Sequence, residues 1–155
     1  MAGQIETRLK ELGIDLPKAS APAGSYVPFV ITGNQVFISG QGPVGPNGLE
    51  YIGKVGADHT AEEAAKSARL TALNVIAQLK EACGGDLDRV TRIVKLTGFV
   101  NCTPDFDQHP TVINGASDLL VEIFGDKGRH ARSAVGMMSL PFQMTTEIEA
   151  VVEIA

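Results

Sequence analysis

One stretch, Thr60 to Gly85, constrains this chain more than any other. Thr60 with Glu63 has the form of a capping box, and Gly84-Gly85 supplies a stop. Between them Ala64, Ala68, Ala72, Val75, Leu79 and Ala82 fall along one helical face, with Glu62 and Lys66 one turn apart on the wet side. The spacing predicts a helix over 61–83. Its inward face is mostly alanine, and small side chains let a helix lie close against a sheet.

The remaining segments supply that sheet. Ile5, Leu9 and Leu12 predict a short amphipathic helix over 3–13 that stops at Gly13, and Pro17–Ser25 reads as an extended connector. Tyr26–Thr32 and Gln35–Ser39 read as two strands turning at Gly33-Asn34. Gly40–Gly48 reads as a loop, with another short strand near Tyr51–Val55. Arg92–Val100 alternates as a strand, and Pro110 suits the first turn of a second helix ending at Gly125. Arg132–Leu140 and Thr145–Ile154 read as the last two strands, linked through Pro141. This order predicts an α+β fold, a mixed β-sheet with two helices packed on one face, plus the short N-terminal helix. The 155 residues are expected to form a single domain, with residues 1–20 as an N-terminal helical extension and connector.

Several strands are apolar on both sides: Val36, Phe37 and Ile38 are consecutive, as are Met137 and Met138. Two helices cover only one face of a sheet. The other face calls for a partner chain, so a homo-oligomer is expected.

Composition removes several function classes. The net charge is -5, and no Lys/Arg cluster gives the basic stripe that a nucleic-acid partner requires. Apolar runs are too short to cross a membrane, and the start MAGQIETRLKELGIDL has no secretion pattern, so a cytoplasmic location is expected. Cys83 and Cys102 form no CxxC and read as buried free thiols; Asn101-Cys102-Thr103 reads as a chance glycosylation triplet.

Familiar motifs fail on inspection. Gly40–Gly45 matches GxGxxG, but Pro46, Asn47 and Gly48 follow where a helix would have to begin, and no P-loop Lys is present. Ser39 has Phe37 where a nucleophile elbow wants glycine, which leaves it a hydrogen-bonding role. His59, His109 and His130 are scattered, without metal-ligand spacing, and read as surface or capping residues. Asp86-x-Asp88 and Asp105-x-Asp107 read as turn and helix-start carboxylates.

Two features remain. Arg132 opens a strand whose same-face neighbours, Ala134 and Gly136, are small. Room in front of a guanidinium suits a carboxylate pocket, since its planar fork matches a carboxylate; the plainer alternative is a surface arginine. Along the last strand Glu147, Glu149 and Glu153 point the same way, and a solvated face accounts for the latter two.

Together these stretches resemble the Rid family of reactive-intermediate deaminases, also called YjgF-like proteins. The resemblance runs from about Ala21 to Ala155 through APAGSYVPFV (21–30), GNQVFISGQGPV (33–44), ALNVIAQLKEACGGDLDRVTRIVKLTGFV (72–100), VINGASDLLVEIFG (112–125) and ARSAVGMMSLP…TTEIEAVVEIA (131–155). It implies a chorismate-mutase-like fold assembled as a homotrimer, with sites in clefts between subunits. It implies hydrolysis of 2-imino and 2-enamino acids to 2-oxo acids and ammonia, with no metal or organic cofactor. By position, Arg132 looks like the arginine that grips the substrate carboxylate, and Glu147 is similar to the glutamate that holds the attacking water. Tyr26, Ser39 and Asn114 resemble pocket residues, with Gly40 and Ala134 beside them. The alternative function is non-catalytic binding of a small carboxylate metabolite in the same clefts.

The family's usual cysteine is Ala134 here, so thiol roles tied to that position do not apply. The N-terminal helix is extra, and Asn101–Pro110 is longer than the common pattern. If the last two strands form a hairpin, Arg132 pairs between Ala150 and Glu153, and Glu147 lies roughly 10–20 Å away at about 3.3 Å per residue. The two groups are then expected to meet through bulging or across a subunit boundary.

Overall fold

The computed structural model describes residues 3–155, as three α-helices and seven strands. The long predicted helix is α2 (Ala61–Ala82): Thr60 accepts a hydrogen bond from the Glu63 backbone N–H at 3.2 Å. The Glu63 carboxylate also accepts from Thr60 Oγ1 and contacts His59 Nδ1. The N-terminal helix is α1 (Gln4–Glu11), and the Pro110 helix is α3 (His109–Phe124).

The sheet strands are β1 (Phe29–Thr32), β2 (Gln35–Gln41), β5 (Val90–Asn101), β6 (Ala131–Met137) and β7 (Thr146–Ile154), in spatial order β1-β2-β7-β5-β6. The hairpin β1–β2 turns at Gly33, whose φ of 59° suits glycine. Tyr26–Pro28 fall outside the first strand and lie against β2, where the Pro28 carbonyl accepts from the Ser39 N–H. The segment read as the loop 40–48 begins with the end of β2 and contains a small hairpin, β3 (Val44–Gly45) with β4 (Gly48–Leu49). Around Tyr51–Val55 only single bridges form.

The expected hairpin of the last two strands is not formed. β5 lies between them, pairing parallel to β6 and antiparallel to β7. The link from Met138 to Thr145 is no tight turn at Pro141; it crosses the end of β5. Asn101 holds it there, its N–H donating to the Thr145 carbonyl and its side-chain amide to the Met144 carbonyl. Asn101 is itself fully buried, so the triplet 101–103 has a structural use.

α2 and α3 pack on one face of the sheet. Ala64, Ala68, Ala72, Ile76 and Leu79 of α2 meet Ile113, Leu120 and Ile123 of α3 and Ile148, Ala150 and Val152 of β7 in one core. Two glycines set the spacing. A methyl on Gly115 would stand 2.0 Å from the Ala65 carbonyl oxygen, and one on Gly98 of β5 would stand 2.6 Å from Ile113 Cδ1. Overpacking of this kind costs about 1–3 kcal/mol where side chains can yield. Both cysteines are buried and free. Among the described residues no helix is long and apolar enough to cross a membrane.

The opposite face is open. Val30, Phe37 and Val135 on it are 52%, 45% and 39% exposed, although each lies within a strand. The doubly apolar strands predict such a face, apolar although α2 and α3 do not cover it.

Candidate active site

Strand alternation divides the sequence-predicted residues into two groups. Leu96 of β5 pairs with both Arg132 and Ala150, and Phe99 pairs with both Val135 and Glu147. Leu96 and Ala150 are buried beneath the helices, so Arg132 projects to the helix side. Thr146 also points there, held by Ser67 Oγ (2.7 Å) and Thr71 Oγ1 (2.9 Å) of α2. Glu147, the next residue, therefore projects to the open side. The two side chains stand on opposite faces, two strands and three residues apart, or about 14 Å between Cα atoms at about 4.8 Å per strand and 3.3 Å per residue.

On the helix side, Arg132 is partly buried against α3. Its Nη1 donates to Asn114 Oδ1 at 2.7 Å and to Ser117 Oγ at 3.1 Å. These two bonds use both Nη1 protons. Nε and Nη2 make no hydrogen bond among the described residues, and this is the edge that matches a carboxylate bidentately. Ser117 in turn contacts His130 Nε2 at 2.8 Å, and His130 Nδ1 contacts the Gly128 carbonyl at 2.7 Å. His130 is thus no surface or capping residue. Burial, then the charges of Arg132 and Arg92, hold its pKa below the ordinary imidazole value against the opposing Gly128 bond. Ala134 follows Arg132 on the same face and packs against the core.

On the other side, Glu147 lines a cleft of about 460 Å³ with Tyr26, Gly40, Leu49, Phe142 and Met144. It touches Gly40 so closely that a methyl there would fall 2.0 Å from its Oε2. A register shift in β2 between Ile38 and Gln41 re-aims the backbone at this point. Burial, reinforced by Glu149, raises the Glu147 pKa, and its carboxyl makes no hydrogen bond among the described residues. Phe142, at the cleft, has φ 57° and ψ 18° and is 75% exposed, a left-handed conformation uncommon for a bulky residue. Ser39 lies at the register shift, with its hydroxyl donating to the Val27 carbonyl at 2.7 Å. Glu149 is exposed as expected, whereas Glu153 accepts a 2.6 Å bond from Thr91.

A larger cavity, about 550 Å³, lies elsewhere, among Lys54, Cys102, Phe106, His109 and Met137, and contains none of the predicted site residues.

Residues 6–152 match the family described as "YjgF/chorismate_mutase-like, putative endoribonuclease". The chain belongs to this family. It is 47% identical over 154 residues to protein TCP17 of Trypanosoma cruzi, spanning 99% of this chain and 96% of that one. Among solved structures, Agrobacterium tumefaciens protein Atu1372 superposes with a TM-score of 0.91 at 48% identity, over 97% of this chain and 92% of its own. Escherichia coli TdcF with bound serine superposes at 0.63 and 30% identity, over 89% and 94% of the two chains. These likenesses place the sheet order and helix packing within the YjgF/chorismate-mutase-like fold.

Ser117 and His130 escape a sequence reading of the site. The pairing of Ser117 with Arg132 follows from α3 crossing β6, which no local pattern reveals. His130 stands two residues before Arg132, but its inward turn depends on the Gly128 carbonyl.

Proposed function

We propose that this protein hydrolyses small 2-imino or 2-enamino acids to 2-oxo acids and ammonia, as one catalytic unit repeated in a homotrimer, in clefts where subunits meet. The single observation carrying this reading is the half-used guanidinium of Arg132: one amino group is pinned and the Nε/Nη2 edge is open to a carboxylate. Glu147 supplies a complementary property, a partly buried carboxyl whose pKa burial raises, in position to take a proton from water.

The chemistry is economical. With the carboxylate fixed on Arg132, the imine carbon is oriented for attack. Water adds to that carbon as Glu147 takes one of its protons, and the C=N electron pair moves onto nitrogen. Glu147 then returns that proton to nitrogen, giving a carbinolamine. It next takes the proton of the new hydroxyl and passes it to the amine, so the C–N bond breaks with loss of ammonia as the carbonyl forms. No cofactor enters this scheme. Two buried free thiols suit a reducing cytoplasm.

Opposite faces of one sheet cannot offer Arg132 and Glu147 to one small molecule. The proposal therefore pairs Arg132, Asn114 and Ala134 of one subunit with Glu147, Tyr26, Ser39 and Gly40 of another. The exposed Val30, Phe37 and Val135 provide an apolar face for that assembly. The test is release of 2-oxo acid from a freshly generated imine. Arg132→Ala is expected to abolish it, and unchanged turnover would reject the assignment.

Non-catalytic carboxylate binding in the same clefts is the second reading, favoured by the serine bound to the related TdcF. In that case a small carboxylate raises the melting temperature while no ammonia appears.

A further inference from the structure

We propose that Ser117 and His130 are positioning residues for Arg132, forming a hydrogen-bond relay from the Gly128 carbonyl that fixes one amino group of the guanidinium and so aims its free edge. This inference rests on the carboxylate-binding reading of Arg132.

The relay runs in one direction only. The Gly128 carbonyl can only accept, so the 2.7 Å contact places a proton on His130 Nδ1. A neutral imidazole protonated there has a bare Nε2, which accepts from the Ser117 hydroxyl at 2.8 Å. With its single proton committed, Ser117 turns lone pairs toward Arg132 and accepts from Nη1 at 3.1 Å. Asn114 takes the second Nη1 proton at 2.7 Å. Each group is used in one sense, which leaves the guanidinium one hydrogen-bonded orientation. The relay also ties three elements together: the turn at Gly128, helix α3 and strand β6.

Its polarity depends on a neutral His130. From β6 the histidine faces Arg132, from β5 Arg92, and from α3 the uncharged Ser117; burial and both cations disfavour the imidazolium. The ordinary value is 6.5, so the neutral form holds at neutral pH and is lost only on acidification below it. Protonated Nε2 would become a donor to Ser117 and put a second cation beside Arg132. The aim of the fork then loosens, and carboxylate binding weakens.

Isothermal titration with 2-oxobutyrate, ionised throughout pH 5.5–8, tests the relay on the intact protein. At pH 7.5, Ser117→Ala is expected to raise Kd about tenfold, the loss of one hydrogen bond to a charged group, and Ser117→Thr to restore it. His130→Gln keeps a side-chain acceptor that cannot titrate, so whatever affinity it retains at pH 7.5 should hold unchanged to pH 5.5. The weakening of wild-type binding toward pH 5.5 should disappear in that variant. Histidine ¹⁵N spectra at pH 7.5 should show His130 protonated at Nδ1 and bare at Nε2. Should Arg132→Ala leave Kd unchanged, the carboxylate reading itself fails. If Arg132→Ala loses binding while Ser117→Ala binds like wild type, or the pH dependence persists in His130→Gln, or Nε2 carries the proton, only the relay is overturned.

Discussion

Arg132 and Glu147, the two halves of the proposed site, are held in opposite ways. Arg132 is charged, tied by Asn114 and Ser117, and backed by a relay that ends on a main-chain carbonyl. Glu147 sits in its cleft with no hydrogen-bond partner among the described residues, and burial pushes it toward its neutral form. A hydrogen-bonded network is rigid, whereas a partly buried carboxyl without protein partners keeps its oxygens for water. In the proposed mechanism the bonded half therefore positions and Glu147 handles the water and its proton.

Mutation acts differently on the two halves. The largest expected effect is the loss of turnover in Arg132→Ala, because the free Nε/Nη2 edge that would take the carboxylate goes with it. Glu147→Gln comes next, with turnover falling about 10²–10⁴-fold, as for removal of a general base. This variant should also gain stability. A carboxyl whose folded pKa is raised above 4.5 contributes stability below that value and loses it as pH rises through the folded pKa. At pH 7 the wild type bears that cost and glutamine does not, so the melting temperature should rise while activity falls. Refolding Arg132→Ala and Glu147→Gln chains together should recover part of the activity if each cleft draws on two subunits. No recovery would return both groups to one chain and break the division proposed between them.

A smaller effect sharpens the same contrast. Gly40→Ala would drive a methyl to 2.0 Å from Glu147 Oε2. The carboxyl end can swing aside, so the fold should survive, with turnover down about tenfold from misplacement of a catalytic group. Binding of a carboxylate should fall less than turnover, since the charge that holds it comes from Arg132 on the other half of the cleft. Equal loss of binding and turnover in Gly40→Ala would mean that the halves are not separable.

The helices and the uncovered apolar sheet face were legible because they rest on local periodicity. The alanine face over 64–82, the stop at Gly84-Gly85 and the consecutive apolar Val36–Ile38 all act within a few residues. Strand order was not legible in this way. Thr145–Ile154 carries the same alternation whether it pairs with β6 or slots between β2 and β5, so the hairpin expectation followed chain order and failed. The buried Asn101 that steers the crossing link looks like any polar residue in sequence. Of the site, Arg132 stood out because Ala134 and Gly136 leave space beside it, and Glu147 by resemblance. Their placement on opposite faces required the register of β5, and the Ser117–His130 relay required α3 laid across β6.

The smallest expected effect separates site from scaffold. Helix α1 begins with Gly3 as its N-cap and therefore has no capping side chain of its own, while its first N–H groups need acceptors. Asp88, far along the chain, supplies them: Oδ2 accepts from the Gln4 N–H and Oδ1 from the Ile5 N–H, both at 2.9 Å. The bond from Ile5 and then that from Gln4 lower the carboxyl pKa below 3.8, so this stabilisation is present above that value and lost as pH falls through the folded pKa. The site is exposed to solvent, which keeps the contribution modest. Asp88→Ala should cost about 1 kcal/mol, typical of a lost cap, and about 2–4 °C of Tm for a domain of this size. Turnover and carboxylate affinity should not change, because α1 packs on α3 through Leu9 and the bond from Arg8 Nε to the Glu122 carbonyl, away from Asn114 and Ser117. A fall in turnover larger than the stability loss explains would show that α1 supports the Arg132 half through α3. The N-terminal extension would then be part of the machinery that holds the guanidinium.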